Sequence, residues 1–225
     1  MSSIYGQFCP IAKAVEVIGE RWTILIIREL LCGSTRFNQL QRGLSQISPS
    51  LLTKRLNQLI DDEIVFKKSV AGQQRAEYFL TPAGKELTPI IMGLGSWGMK
   101  WTRSRMEDDE LDVELLMLDF YRRAEMSEVP GGHCVAHFIF DGLKTYPHWW
   151  MILDETDRDL CVANPGVDVD LTIKSDLRTM TQIWDGQLTM AKAKREKRVI
   201  LEGTPLFTRS ISHWLKGSLL SPHTP

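Results

Sequence analysis

The chain has 225 residues, of which 43% are hydrophobic and 24% are charged, a composition typical of a globular protein. No apolar run is long enough to cross a membrane, and the first residues lack the basic and then apolar pattern of a signal peptide. We therefore expect a cytoplasmic protein without a membrane partner.

The net charge of -1 conceals a difference between the two halves of the chain. Residues 1–100 carry 12 Lys and Arg against 8 Asp and Glu, whereas the remainder carries 15 against 20. A mildly basic first half fits contact with a polyanion, although the excess is small. The four cysteines form no CxxC pair, so neither a zinc ribbon nor a thioredoxin-type site is indicated.

Three helices are predicted in the first fifth of the chain. Residues 10–18 form the first, with a proline at its start. Residues 21–31 are apolar nearly all round, which is typical of the central helix of a small domain, and Gly33 is suited to cap its end. Residues 36–42 predict a short third helix, and a tight turn after it leads to a fourth.

The fourth helix begins at Pro49 and presents two different faces. Ser48 can cap it, and Pro49 occupies the first position, where no backbone N–H is needed. Leucines and an isoleucine recur at the spacing of one buried face. A recognition helix needs short polar groups that approach bases and cations that contact phosphate. The alternative is an ordinary amphipathic helix with a solvated face. The candidate DNA contacts on this helix are Ser48, Ser50, Thr53, Lys54, Arg55 and Asn57.

A β-hairpin follows, with strand patterns in 64–70 and 75–81 and a Gly-containing tip from Gly72 to Arg75. A helix-turn-helix followed directly by a hairpin predicts a mainly α winged helix-turn-helix domain. Further contacts to the DNA backbone are expected from Arg36, Lys67, Lys68, Gln73 and Arg75.

These motifs resemble the HxlR family of transcriptional regulators over about residues 8–104. The residues that carry the resemblance are Cys9-Pro-Ile-Ala-Lys-Ala, Ile18-Gly-Glu-Arg-Trp-Thr, Arg36-Phe-Asn-Gln-Leu, Ile47-Ser-Pro-Ser-Leu-Leu-Thr-Lys-Arg-Leu and Glu77-Tyr-Phe-Leu-Thr-Pro-Ala-Gly. The resemblance implies a dimeric bacterial or archaeal protein that binds a pseudo-palindromic operator on double-stranded DNA. Family members usually end near this point, whereas this chain continues for about 120 residues.

Residues 82–104 and the N-terminal helix are the expected homodimer contact. An apolar stripe runs along this segment, and Gly93, Gly95 and Gly98 make sense if a second backbone approaches closely. The alternative is that the stripe packs only on its own domain. The stripe consists of Leu87, Ile90, Ile91, Leu94, Trp97 and Trp101.

Cys9 lies just before the first helix, where a thiol can be reactive. In some relatives a cysteine at the matching position senses oxidants or electrophiles, so Cys9 is a candidate thiol sensor. The alternative is a partly buried, inert thiol.

We expect a winged-helix DNA-binding and dimerisation domain in residues 1–105 and a second, α+β domain with an antiparallel sheet in residues 106–225. After a helix in 111–124, four strands are expected to form a meander, followed by two helices, a short strand and a last helix. The expected strands are 133–140, 149–153, 160–163 and 167–174. In the last of these, Asp168 and Asp170 alternate with apolar residues and indicate a solvated strand face rather than a carboxylate pair.

The second domain is similar to sterol carrier protein-like domains, on the residues Asp168-Val-Asp-Leu-Thr-Ile-Lys-Ser-Asp-Leu, Ile183-Trp-Asp-Gly-Gln-Leu and Leu201-Glu-Gly. The resemblance implies an apolar tunnel beneath the sheet and an apolar small-molecule effector. The alternative is that the same side chains simply fill a core. The candidate pocket residues are Phe138, Phe140, Trp149, Trp150, Met151, Trp184, Met190 and Trp214.

No catalytic, metal-binding or cofactor-binding constellation is predicted. His133 and His137 share a strand face but lie about 13 Å apart, too far for joint chelation. Neither a nucleophile elbow nor a phosphate-binding loop is present. The sequence therefore predicts a DNA-binding regulator that is not an enzyme; the alternative is a lipid or small-molecule carrier whose winged helix serves as an interaction module.

Overall fold

The protein was analysed as a computed structural model, which describes residues 5–69, 76–102 and 107–221. The chain forms two compact units, Met1–Trp97 and Gly98–Pro225. The expected domain boundary at residues 105 and 106 lies outside the described residues and stays a prediction. Among the described residues, the helices are all too short or too polar to span a lipid bilayer.

The first unit has the predicted helix-turn-helix and hairpin. Its core is formed by aliphatic side chains from the helices and β1, including Ile26, Leu40, Leu52 and Leu56, each at most 1% exposed. The two strands of the hairpin pair in antiparallel fashion, with Phe66 opposite Phe79. The elements are α1 (Pro10–Ile18), α2 (Thr23–Leu31), α3 (Phe37–Gly43), α4 (Pro49–Asp61), β1 (Val65–Ser69), β2 (Ala76–Leu80), α5 (Pro82–Glu86) and α6 (Thr88–Trp101).

The segment that carries the predicted apolar stripe is divided at Leu87 into α5 and α6. Pro89 has no backbone N–H, so the carbonyl of Lys85 cannot receive the helical hydrogen bond from that position. The hydroxyl of Thr88 donates to the Lys85 carbonyl instead, at 2.6 Å. α5 therefore ends before Leu87, and α6 starts at Thr88.

The second unit has the expected α+β composition, with a five-stranded sheet in the order β5-β4-β3-β6-β7. Its elements are α7 (Val113–Arg123), β3 (His133–Asp141), β4 (His148–Asp154), β5 (Asp159–Cys161), β6 (Leu171–Asp176), α8 (Leu177–Trp184), α9 (Met190–Arg195), β7 (Val199–Gly203) and α10 (Pro205–Trp214).

The sheet is mixed, because β6 runs parallel to β3 whereas the remaining described pairings are antiparallel. The expected meander is therefore correct through β5 and wrong for β6. β6, the last strand of the expected meander, begins at Leu171 rather than at Val167. Val167 and Val169 are 48% and 40% exposed. Asp170 fixes this start: its carboxylate accepts from the Val135 N–H at 2.8 Å, and its own N–H donates to the Val135 carbonyl at 3.0 Å.

The predicted pocket residues mostly fill the core of the second unit. Phe138, Phe140, Trp149, Met151 and Trp214 are each at most 2% exposed and belong to one packed cluster. Trp150 follows Trp149 on the same strand, so its side chain lies on the opposite face of the sheet and cannot line a shared pocket. Trp184 packs against the core cluster, and Met190 belongs to it. The eight side chains therefore do not surround one cavity.

Candidate nucleic-acid interface

The exposed face of α4 carries most of the predicted DNA contacts. Ser50, Thr53, Lys54 and Asn57 are exposed and are spaced by three and four residues, so they form one stripe along the helix. At its start, the exposed Ser48 hydroxyl accepts from the Leu51 N–H at 3.3 Å and lies 3.2 Å from the Ser50 hydroxyl. The predicted Ser48 cap is thus confirmed. Small polar groups and one cation are presented together at the end of the helix that enters a groove in helix-turn-helix proteins.

Lys54 is the cation of this stripe. Within the described residues it makes no ion pair, whereas the neighbouring Thr53 hydroxyl donates to the Pro49 carbonyl at 2.9 Å. An exposed ammonium group without a protein partner is available to phosphate or to a base edge.

Arg55 does not belong to the exposed face, which corrects its assignment as a DNA contact. It is 9% exposed, and its Nε donates to the Arg21 carbonyl at 3.1 Å. Its terminal nitrogens contact Gln58 Oε1 at 2.7 Å and Glu20 Oε2 at 2.7 Å. The guanidinium therefore joins α4 to the turn between α1 and α2, where Trp22 has a left-handed backbone with φ of 79°.

Arg36 is exposed but paired. Its Nε lies 3.2 Å from Glu77 Oε1, and residues 36 and 77 form an isolated antiparallel bridge. This contact joins the start of α3 to the hairpin. Its side chain is still 54% exposed, so a phosphate can compete for the guanidinium at modest cost, because exposed ion pairs are weak.

The hairpin contributes two exposed lysines with opposite directions. Lys67 and Lys68 are neighbours on β1, so their side chains leave opposite faces of the hairpin. DNA lying along one face can contact only one of them. Gln73 and Arg75, at the expected tip, lie outside the described residues.

A buried carboxylate that sequence reasoning missed supports the helix-turn-helix. Glu29 is 1% exposed, and it accepts from Arg28 at 2.9 Å and from the Ser34 hydroxyl at 3.2 Å. Arg28 also donates to the Gly43 carbonyl at 3.2 Å, and a Cβ on Gly43 would lie 2.0 Å from the Glu29 carboxylate. This cluster fixes α3 against α2. Its signal in the sequence was an acidic residue inside an otherwise apolar helix.

Cys9 caps α1 without a side-chain hydrogen bond and is partly buried. Within the described residues, Cys9, Cys32, Cys134 and Cys161 form no disulfide bond. The geometry around Cys9 includes no described contact that would select between a sensor and an inert thiol.

A cross-strand histidine pair on the outer face of the second unit's sheet was also missed. His137 Nε2 lies 3.1 Å from His148 Nδ1, and the His137 ring stacks on Trp150 at 4.4 Å. His133 instead contacts Asp154 at 3.1 Å. Across the parts of the chain that the structure describes, no group of three or more His, Cys, Asp or Glu side chains is arranged to hold a metal ion. The pairing of β3 with β4 was the signal that could have found His148.

The helix-turn-helix followed by a β-hairpin, with the exposed polar stripe on α4, defines a winged helix-turn-helix DNA-binding protein. A family model described as HxlR-like helix-turn-helix matches residues 17–106. YvaP of Bacillus subtilis, named an uncharacterized HTH-type transcriptional regulator, is 38% identical over 99 residues, which are 43% of this chain and 91% of YvaP. A Synechocystis protein with the same kind of name is 34% identical over 113 residues, or 49% of this chain and 80% of that protein.

The chain belongs to the HxlR-like helix-turn-helix family and is a DNA-binding transcriptional regulator by that membership. The structure of a redox regulator, HypR, in its reduced form is 30% identical, covers 41% of this chain and 92% of HypR, and has a TM-score of 0.39. Residues beyond 106 lie outside the family match.

Proposed function

We propose that this regulator binds a pseudo-palindromic operator as a homodimer, with α4 of each protomer in the major groove of one half-site. The observation that carries the proposal is the exposed stripe of small polar residues with Lys54, which makes no ion pair with a described residue. We assign base contacts to Ser48, Ser50, Thr53 and Asn57, and to Lys54 a contact with a base edge and its neighbouring phosphate.

Contacts to the phosphate backbone are assigned to Arg36 and to one of Lys67 and Lys68. Gln73 and Arg75 at the hairpin tip stay predictions. Arg55 is withdrawn from the interface, because its donors are used inside the first unit.

The dimer proposal is supported by two helices that bury no residue of their own. α1 and α6 have no buried residues, and Phe8 and Ile11 at the start of the chain are 98% and 73% exposed. On α6, Ile90, Leu94 and Trp97 are 57%, 49% and 56% exposed.

The spacing of those three residues, four and then three, is that of a seam between two packed helices. Leu87 and Ile91 of the predicted stripe instead pack on the core of the first unit. A Cβ on Gly93 would meet no atom within 4 Å, so the packing described for this chain does not require that glycine. Such a surface fits a second copy of the chain, with α1 and α6 of each protomer at the contact.

Sedimentation velocity at micromolar concentration tests the dimer. Leu94→Glu places a charge in the seam and should yield monomers, because a charged group would lose its water at the contact. Ser96→Glu is the matched control, since Ser96 is exposed on the same helix and helical spacing places it away from the seam. A monomeric wild-type protein, or a Leu94→Glu variant that stays dimeric, would contradict the proposal.

Selection of duplexes from a random-sequence library tests the operator. We expect enrichment of an inverted repeat whose half-sites are about 10 base pairs apart, one helical turn, because two recognition helices of a symmetric dimer reach the same side of the duplex. A library that remains random after repeated rounds would contradict the proposal and favour the carrier function.

Thiol regulation through Cys9 is a separate prediction. If Cys9 is the sensor, diamide should change DNA binding of the wild-type protein and leave Cys9→Ser unaffected. Cys32→Ser is the matched control, since Cys32 is exposed and forms no disulfide bond with a described residue. An equal response of wild type and Cys9→Ser would exclude Cys9.

A further inference from the structure

A cleft of about 420 Å³ lies in the second unit, between the end of α7, the turn from α8 to α9, and the segment that follows α10. This volume falls within the range of about 300–1,000 Å³ that is usual for small-molecule sites. Its wall is formed by Ile183, Leu188, Met190 and Leu215, of which the last three are each at most 7% exposed. Of the pocket residues predicted from the sequence, Met190 alone lines this cleft.

Two cations lie in the wall of the cleft, and no acidic residue does. Lys216 is half-buried and makes no ion pair with any described residue. The Arg123 side chain is 16% exposed, and the carboxylate nearest to it belongs to Asp119, at 3.9 Å from Nε. That distance is too long for a hydrogen bond, so Asp119 offsets part of the Arg123 charge without occupying its donors, and Lys216 adds a second positive charge.

The Arg123 guanidinium is held in place through Nε, while its two terminal nitrogens stay available to donate hydrogen bonds to a ligand. Nε donates to the Gly217 carbonyl, and within the described residues the two terminal nitrogens donate to no protein acceptor. Asp119, one helical turn before Arg123, is itself fixed by the indole N–H of Trp184. A planar guanidinium with two parallel donors matches the two oxygens of a carboxylate.

The segment after α10 closes one side of the cleft and is fixed independently. The Ser218 N–H donates to the Trp184 carbonyl at 2.6 Å, and a Cβ on Gly217 would lie 2.5 Å from that same oxygen. Lys216 is therefore carried on a backbone that is tied to the end of α8, and its position beside the cleft does not depend on a ligand.

We infer that this cleft binds a small carboxylate with an apolar body, such as a medium-chain fatty acid or an arylalkanoate. The carboxylate pairs with Arg123 and Lys216, and the apolar body lies against Leu188, Met190 and Leu215. Burial of the apolar body adds to the affinity, so a polar anion such as inorganic phosphate should bind more weakly than a carboxylate with an alkyl or aryl body. A cation is excluded by charge.

This inference gives the effector of the proposed regulator a chemical class, and it rests on the proposed function only for the consequence on DNA binding. Calorimetric titration of the full chain with octanoate and with 4-phenylbutyrate tests the site itself. We expect saturable binding of one molecule per chain for at least one of these probes. The neutral 1-octanol, with the same number of carbon atoms as octanoate, should bind at least about tenfold more weakly, because hydrogen bonds to charged groups are the strong ones.

Variants locate the site. Lys216→Gln should weaken carboxylate binding about fivefold, and Arg123→Gln should weaken it about tenfold or more. The effect of Lys216→Gln is smaller because Lys216 is the more hydrated of the two cations. Lys192→Gln is the matched control, since Lys192 is an exposed cation outside the cleft. Ala191→Trp fills the cleft from an exposed position, and it should abolish binding without removing a core contact.

Three results would overturn the inference: neither carboxylate binds, 1-octanol binds as tightly as octanoate, or Lys216→Gln and Ala191→Trp behave like Lys192→Gln. Because no DNA is present in the titration, these results leave the operator proposal standing. Conversely, carboxylate binding by a chain that selects no duplex would support the cleft and refute the proposed DNA function.

Discussion

Replacing Lys54 and Arg55 one at a time separates a DNA contact from a structural contact at adjacent positions of α4. Arg55→Ala removes three side-chain contacts, to Glu20, Arg21 and Gln58. Each contact has a net value of about 0.5–1.5 kcal/mol, and the ion pair with Glu20 contributes less because Glu20 is half-exposed. The free energy of unfolding should therefore fall by roughly 2–3 kcal/mol. For a unit of this size, that change lowers Tm by at least about 8 °C.

Lys54→Ala should behave in the opposite way. Lys54 is exposed and without an ion pair among the described residues, so the free energy of unfolding should change by less than about 0.5 kcal/mol. Loss of one phosphate contact would reduce the slope of log Kd against log salt concentration by about 0.9.

Circular dichroism melts and fluorescence anisotropy on a labelled random-sequence duplex, at several salt concentrations, measure the two quantities. An Arg55→Ala protein with unchanged Tm and a reduced salt slope would refute the structural role of Arg55. A Lys54→Ala protein with an unchanged slope would refute the assignment of Lys54 to the interface.

Two further predictions concern the thiols and the histidine pair. Ellman's reagent should modify the exposed Cys32 in the native protein but Cys134 only on unfolding, because burial raises the pKa of Cys134 to about 12; rapid native labelling of Cys134 would contradict this. Burial, His148 and Lys174 hold the pKa of His137 below its usual 6.5, so the unfolded state binds more protons. Stability of the second unit should therefore fall as pH drops below about 6.5, until the folded pKa of His137 is reached, and in urea melts His137→Asn should flatten this dependence. An unchanged pH profile in that variant would refute the effect.

The start of α4 could be predicted from the sequence because its signals are local. Ser48 and Pro49 define a helix start by hydrogen bonding and backbone geometry within a single turn. The exposed residues of the stripe followed from helical spacing alone.

Arg55 could not be assigned in the same way. Arg55 lies three residues after Leu52 and four before Leu59, so its spacing places it beside the buried face, but its charge favours an exposed position. Its burial depends on Glu20 and on the carbonyl of Arg21, which lies 34 positions earlier in the sequence. Only the tertiary packing of α4 against the turn after α1 decides between the two roles.

The second unit shows a similar division. The strands β3 and β4 were predictable from their composition, whereas the parallel pairing of β6 depends on how a connection places Leu171 opposite Ala136. The predicted pocket failed partly for a reason that was visible in the sequence: Trp149 and Trp150 are neighbours on one strand and must face opposite sides.

Anisotropy on the duplex obtained by selection tests the central claim most directly. The labelled inverted repeat is titrated with the full chain at physiological salt and with excess nonspecific competitor, beside the same duplex with one half-site scrambled. We predict saturable binding at two protomers per duplex and at least about tenfold weaker binding to the scrambled form, because specific contacts in both half-sites add to one dimer. Equal affinity for the two duplexes, or binding that the competitor abolishes, would contradict an operator-binding dimer.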